Sequence, residues 1–336
     1  MECDIERELS EPPSNVVDFM TALEGDILFL GAAGKMGPTI TSMAQRAIQA
    51  AGRKNRVMAV SRFSDPKVQE SFAAQGIETI AGDLLDPKFL ASLPNCENVV
   101  FMVGAKFGTS GAAAATWAAN ACLPGLVCQQ FPTSRMACFS TGNIYGLVPR
   151  EKGGSVEEDD PNPVGEYAMS CLGRERVFEY FSQRYSMPLS ILRINYSTEY
   201  RYGVLVDLAQ KVFAGRPIDL QMGAFNVIWQ RDACAMAIKS LGVASTEPTL
   251  LNITGPEVAL VRDVAERLGE HFNRPPVFNG QESSTALLSN SSKACRLFGP
   301  PEVLLEEMIA RTADWIARGG VTWNKPTHFE VRDGKF

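Results

Sequence analysis

Three glycines recur at every third position in Gly31-Ala32-Ala33-Gly34-Lys35-Met36-Gly37, between an apolar run and a helical pattern. Each has its own use in that setting. The first permits a tight turn, the second lets backbone amides approach a pyrophosphate, and the third lets the helix pack close to the strand. The helix N-terminus adds partial positive charge. The chemistry predicted is dinucleotide binding, with Gly31, Gly34, Lys35, Met36 and Gly37 against the phosphates. Ser61 and Arg62 end the second apolar run. A carboxylate there would hold the ribose diol of NAD, whereas an arginine meets a 2′-phosphate, so Arg62 favours NADP over NAD. A solvated surface arginine is the plain alternative. Asp83, with Leu84 beside it, follows the third run and is placed for the adenine amino group. Its other reading is a cap for the helix starting at Pro87, for which Asp86 is better placed.

These residues need a scaffold of strands and helices. Apolar runs at 26–30, 56–60, 77–81, 99–103, 136–140 and 189–194 read as strands. Segments 37–51, 66–75, 112–130 and 164–185 read as helices. Short apolar strands alternating with helices predict an α/β fold, a doubly wound parallel sheet of Rossmann type. Beyond residue 196 the pattern loosens. Helices at 203–213, 231–242, 260–271 and 302–318 alternate with short strands near 226–229 and 250–253, which predicts a smaller C-terminal substrate lobe. The organisation expected is an N-terminal arm (1–25, a loop and short helix), a dinucleotide-binding domain (26–196), an interwoven substrate lobe (197–325) and a tail (326–336).

Composition narrows the function. The chain has 336 residues, 45% apolar and 21% charged, which is ordinary globular usage and excludes a disordered or fibrous protein. A net charge of −6 gives no support to a nucleic-acid or anionic-membrane surface. The eight cysteines form no C-x-x-C pair, which fits reduced thiols in a cytoplasmic protein. With His271 and His328 the only histidines, a His-based metal site or a Ser-His-Asp triad is poorly supplied. The acidic segment 1–24, broken by Pro12 and Pro13, does not read as a signal peptide. The apolar stretch 111–128 contains Thr116, Asn120 and Pro124, and reads as a buried helix and not as a membrane span.

Further motifs follow in order: Gly82-Asp83-Leu84-Leu85-Asp86, Val103-Gly104-Ala105, Asn120, Ser140-Thr141-Gly142-Asn143-Ile144-Tyr145-Gly146, Tyr167, Leu192-Arg193, and Asn252-Ile253-Thr254-Gly255-Pro256-Glu257. With the glycine loop they make residues 26–318 resemble an extended short-chain dehydrogenase/reductase, the family of NAD-dependent sugar epimerases and dehydratases. The resemblance implies that Tyr167 is the general acid/base and that Thr141, with Ser140 beside it, orients the substrate oxygen. It also implies cofactor contacts at Val103, Gly104, Ala105, Asn120 and Asn195. The family's Y-x3-K lysine lowers the tyrosine pKa and holds the nicotinamide ribose. Here that position is Cys171.

Residues i and i+4 of a helix share a face, so Cys171 is expected to point at the same site as Tyr167. A neutral thiol gives no electrostatic help to a tyrosine whose ordinary pKa is about 10. Three readings follow: a working but weaker tyrosine, recruitment of another cation, or a silent site. Lys106, just beyond the fourth strand, is the candidate cation, since ligands bind at strand C-termini in such sheets. Its alternative is a surface lysine. Cys171 as a nucleophile has little support, with no histidine nearby in sequence, and a small packing residue is the plainer reading.

Nucleotide-sugar members of the family carry an arginine for the diphosphate in an R-D-[FY]-[IV]-H-V pattern. Aligned on Asp232, that arginine is Phe225 here, which favours a smaller sugar, sugar acid or polyol. Arg201, after the sixth strand, is expected to face the cleft and could bind a carboxylate or phosphate. Its alternative is a solvated loop. Asn143, Tyr196 and Trp229 are the other substrate-side candidates, Trp229 as core or pocket wall. Two functions compete: an NAD(P)-dependent oxidoreductase or epimerase, and a cofactor-binding sensor without turnover. The resemblance implies a homodimer through the helices 112–130 and 164–185.

Overall fold

The computed structural model describes residues 2–106 and 111–335. Seven strands build the central sheet: β1 (Ile27–Leu30), β2 (Val57–Ser61), β3 (Glu78–Ala81), β4 (Asn98–Phe101), β5 (Arg135–Thr141), β6 (Leu189–Ile194) and β7 (Thr249–Ile253). Their spatial order is β7-β6-β5-β4-β1-β2-β3. Strand β1 pairs in parallel with β2 and β4, β2 with β3, and β4 with β5. Ile27, Leu28, Phe29 and Leu30 are all buried, as a strand covered on both faces requires. This is the doubly wound sheet expected. The strand order reverses between β1 and β4, and Leu30 lies level with Val60 and Phe101. The segments that leave β1 and β4 therefore flank the switch point, where such sheets bind ligands.

The first helices are α1 (Glu2–Leu9), α2 (Ser14–Ala22), α3 (Gly37–Ala50), α4 (Pro66–Ala74) and α5 (Pro87–Ala91). The arm differs from expectation in being two helices. Ile5 and Leu9, then Val16 and Met20, are buried one turn apart, an i, i+4 stripe on each side of Pro12-Pro13.

The single helix expected over 112–130 is a helix in three parts: α6 (Ala113–Trp117), a π turn (Ala118–Cys122) and α7 (Leu123–Gln130). Pro124 explains the break. It has no N–H to give to the carbonyl four residues back, at Asn120. The freed carbonyl accepts instead from Arg174 Nε at 3.3 Å, on the long helix α8 (Gly165–Tyr185).

The chain divides into two compact units. The first comprises residues 1–140, 166–192 and 234–251. Its core is built from Leu28, Met58, Val99, Phe101, Val127 and Phe178 among others. The second comprises residues 141–165, 193–233 and 252–336. In it α9 (Val204–Phe213), α11 (Val261–Phe272) and α13 (Leu305–Ala317) pack together; α10 (Gln230–Lys239) and α12 (Ser292–Phe298) intervene in the chain. The strand expected near 226–229 is two short ones, Ala224–Phe225 and Ile228–Trp229, paired with Ala259–Leu260 and Ser197–Thr198. Among the described residues no helix is long and apolar enough to cross a membrane. Cys96, Cys122, Cys128, Cys138, Cys171 and Cys295 are free thiols.

Candidate functional site

In the first unit the glycine loop leaves β1 and opens α3. Gly31 has φ +88, a left-handed conformation, and a Cβ on it would lie 3.0 Å from Val103. The Gly31 and Ala32 amides donate to the Val60 carbonyl of β2 at 2.9 and 3.1 Å. A Cβ on Gly37 would sit 1.9 Å from the Ala32 carbonyl oxygen, so only glycine lets the helix start this close to the turn. Gly34 is exposed, and its Cβ would meet nothing nearer than the Gly31 oxygen at 3.3 Å. Met36 stands at the N-cap of α3; the first turn holds Pro38 and no acidic side chain. A bare backbone face at a helix N-terminus fits a pyrophosphate. Lys35 and Met36 are half-buried beside it.

Arg62 is exposed next to the half-buried Ser61. The Ser61 carbonyl accepts from the Gly82 amide at 3.0 Å, which ties the end of β2 to the end of β3. Asp83 is exposed, and its Oδ1 accepts from the Leu85 amide at 3.0 Å. Asp86 caps α5 through the Lys88 amide at 2.9 Å, and Leu84 is buried.

Tyr167, Cys171 and Arg174 follow one another at spacings of four and three on α8, which places them on one face. Tyr167 is half-buried and Cys171 is fully buried. The Lys106 Nζ lies 5.8 Å from the centroid of the Tyr167 ring. Burial lowers the Lys106 ammonium from 10.5 to about 8, with the Cys171 thiolate acting the other way. Burial pushes the Cys171 thiol up, while the Arg174 charge, a hydrogen bond with Tyr167 and the Lys106 charge pull it partly back. The tyrosine, the thiol and two cations thus share one electrostatic environment.

Asn120 sits inside the π turn, fully buried, and clamps the segment after β4. Its Oδ1 accepts from the Ala105 amide at 2.9 Å, and its Nδ2 donates to the Ala105 carbonyl at 3.0 Å and to Ser170 Oγ at 2.9 Å. Arg174 Nη2 donates to the same Oδ1 at 2.7 Å, and Nη1 donates to the Phe139 carbonyl at 2.7 Å. A Cβ on Gly104 would lie 2.9 Å from the Arg174 guanidinium, so a bare glycine admits that group under the loop. The clamp holds Ala105 next in sequence to Lys106. Sequence reasoning missed Arg174, Ser170 and Glu175. The available signal for Arg174 was its place one turn beyond Cys171. Ser140 is buried and gives its hydroxyl to the buried Glu175 at 2.5 Å.

In the second unit, Thr141 caps a short 3-10 turn over Gly142–Tyr145 by accepting from the Asn143 amide at 3.2 Å. A Cβ on Gly142 would lie 2.8 Å from Ser289 Oγ and 3.3 Å from Asn195, so these three residues meet. Tyr145 donates to Asn252 Oδ1 at 2.8 Å and accepts from Arg193 at 2.6 Å. Asn195 is buried and Tyr196 half-buried, the latter with φ +46. Arg201 is not on a solvated loop: it is 4% exposed, and its Nε meets Glu199 at 3.1 Å. Trp229 is fully buried, with Tyr200 edge-on at 4.9 Å. The structure thus brings Tyr167, Cys171 and Lys106 together in the first unit, and Thr141, Asn143, Asn195, Tyr196, Arg201 and Trp229 belong to the second.

The fold is that of NAD-dependent sugar-nucleotide epimerases. The Bordetella bronchiseptica enzyme WbmG, solved in complex with NAD and UDP, matches with a TM-score of 0.72 at 19% identity over 91% of this chain and 99% of that one. The UDP-glucuronic acid 4-epimerase of Bacillus cereus, solved with NAD, gives 0.71 at 18% identity over 89% and 100%. The UDP-glucose 4-epimerase of Thermotoga maritima, solved with UDP-glucose, gives 0.69 at 18% identity over 88% and 99%. At these identities the likeness is one of fold. No family model matches the sequence, and no curated protein matches it.

Proposed function

We propose that the chain is an NAD(P)-dependent oxidoreductase or epimerase acting on a secondary alcohol of a sugar, sugar acid or related polyol. The observation that carries this reading is the approach of Lys106 Nζ to the Tyr167 ring, at 5.8 Å, on the side of α8 that holds Cys171 where a lysine would be expected. Tyr167 exchanges the alcohol proton, and Lys106 supplies the positive charge that favours its tyrosinate. Thr141 orients the substrate oxygen. Ser140, whose hydroxyl is given to Glu175, supports the end of β5. Gly31, Gly34, Lys35, Met36 and Gly37 would hold the pyrophosphate, Arg62 a 2′-phosphate and Asp83 the adenine edge. A dinucleotide held there would supply a hydride acceptor for the alcohol carbon and, for an epimerase, the donor that returns the hydride to the other face. NAD in two of the solved structures of this fold supports the cofactor class; Arg62 is the support for NADP.

A homodimer through α6, α7 and α8 is supported by Trp117, Met169 and Tyr180, large side chains that these helices leave 38%, 38% and 56% exposed. The free thiols support a cytoplasmic location. Cys171 favours a second reading, a dinucleotide sensor without turnover. Tyr167→Phe decides between them in a screen of free sugars and sugar acids followed at 340 nm. The enzyme reading expects wild-type turnover that the variant loses by at least about a hundredfold, with dinucleotide affinity kept. Equal rates in both proteins would refute the role of Tyr167.

A further inference from the structure

Residues 323–335 fold back over the elements of the second unit that carry Tyr196, Arg201 and Phe225. The Trp323 amide donates to the Arg201 carbonyl at 3.0 Å, and the Arg201 guanidinium lies 5.1 Å from the Trp323 ring. Thr327 gives its amide and its hydroxyl to Asp207 Oδ2, at 2.8 and 2.6 Å. Arg332 donates to the Gln221 and Thr285 carbonyls at 3.0 and 2.8 Å, and to the Thr285 hydroxyl at 2.6 Å. Between these anchors Phe329 is 1% exposed. Its ring stands 6.1 Å from that of Phe225, and its carbonyl lies 3.5 Å from the Tyr196 hydroxyl.

Phe225 occupies the position at which a nucleotide-sugar enzyme of the resembled family has its diphosphate arginine. Here that position is apolar, fully buried and covered by a second phenyl ring. Two of the cations nearby are matched by acids within the protein, and Arg332 spends its guanidinium on the Gln221 and Thr285 carbonyls and the Thr285 hydroxyl. Arg201 faces Glu199 at 3.1 Å, with both side chains buried, and Lys211 faces Glu330 at 3.6 Å. The Glu330 carboxylate also acts on Tyr196, adding negative potential where a phosphate would need positive. A pyrophosphate seated here would lose its water against phenyl rings and an acid, a placement that costs far more than it returns.

We infer that residues 323–335 wall off the nucleotide half of the substrate site, so that the substrate is a free sugar, sugar acid or polyol and not a nucleoside-diphosphate sugar. Phe329 and Phe225 are the specificity-determining pair. The location of the site rests on the function proposed above.

The test uses the full chain and UDP as probe, without dinucleotide. Titration with roughly 1 mM UDP is expected to give no binding heat, and amide hydrogen exchange in 323–335 is expected to stay unchanged. Binding of UDP with a Kd below about 1 mM that is equal in wild type and in Gly34→Ala, and so is not made by the glycine loop, overturns the inference, whether the segment is released or not. Phe225→Arg combined with Phe329→Ala opens the wall and restores a cation. It is expected to bind UDP with a Kd below about 100 µM, while Phe329→Leu, which keeps the wall, gives no binding heat, as wild type does. A double variant that folds and binds UDP no better overturns the inference. If it does not fold, the exchange and titration results on the wild type decide. None of these readouts needs dinucleotide binding or turnover, so the inference fails or stands separately from the proposed function.

Discussion

Replacing Lys106 by methionine separates two effects of one buried cation. Its ammonium stands 5.8 Å from the Tyr167 ring centroid. A buried ammonium this near the ring favours the tyrosinate over the neutral phenol. Lys106→Met is therefore expected to lower kcat at pH 7 by about 10- to 100-fold. The same charge is costly to the fold. A drop from 10.5 to about 8 corresponds to roughly 3 kcal/mol against the folded state. Since the folded value lies below the unfolded one, the cost is fully present below about pH 8 and is lost as pH rises towards 10.5. The variant is then more stable than wild type by up to about 3 kcal/mol at pH 7, and by about half of that at pH 9.5. Urea denaturation at the two pH values measures the gain. The pH–rate profile measures the other side: wild-type turnover falls above about pH 8 as Lys106 loses its proton, and that limb vanishes in the variant. A variant with unchanged kcat and no gain in stability would refute both the position and the charge assigned to Lys106.

Cys171→Lys restores the family's residue but adds a third cation beside Lys106 and Arg174 at a fully buried position. It is expected to cost at least about 2 kcal/mol and to leave turnover no higher, by thermal denaturation and steady-state rates; a stable, faster enzyme would contradict this. Gly37→Ala drives a methyl to within 1.9 Å of the Ala32 oxygen and is expected to lose about 2 kcal/mol or more in denaturant titration. Gly34→Ala, whose Cβ presses on the Gly31 oxygen at 3.3 Å, is expected to cost less stability than Gly37→Ala and to weaken dinucleotide affinity by at least about tenfold.

The strands and the glycine loop were legible because their signals are local: four buried residues in a row at 27–30, then three glycines in register. The arm was harder, since its two stripes are only one turn long on either side of Pro12-Pro13. The break at Asn120 has a local cause in Pro124, but its repair by Arg174 spans 54 residues and leaves no sequence pattern. The same holds for Lys106, which meets Tyr167 only because the clamp on Ala105 fixes where β4 exits. Arg201, expected to face the cleft, is buried against Glu199, two residues away, a pairing for which the sequence carries no pattern. The segment 323–335 carried no periodic signal at all, because each of its anchors contacts a different distant element.

The central claim, dinucleotide-dependent chemistry at Tyr167, is tested most directly by calorimetric titration with NAD⁺, NADH, NADP⁺ and NADPH after any co-purifying cofactor is removed. The expected result is micromolar or tighter binding of at least one of the four, with NADPH ahead of NADH through Arg62 and loss of affinity in Gly34→Ala. Binding of none of the four would contradict the proposed oxidoreductase and leave the fold alone standing.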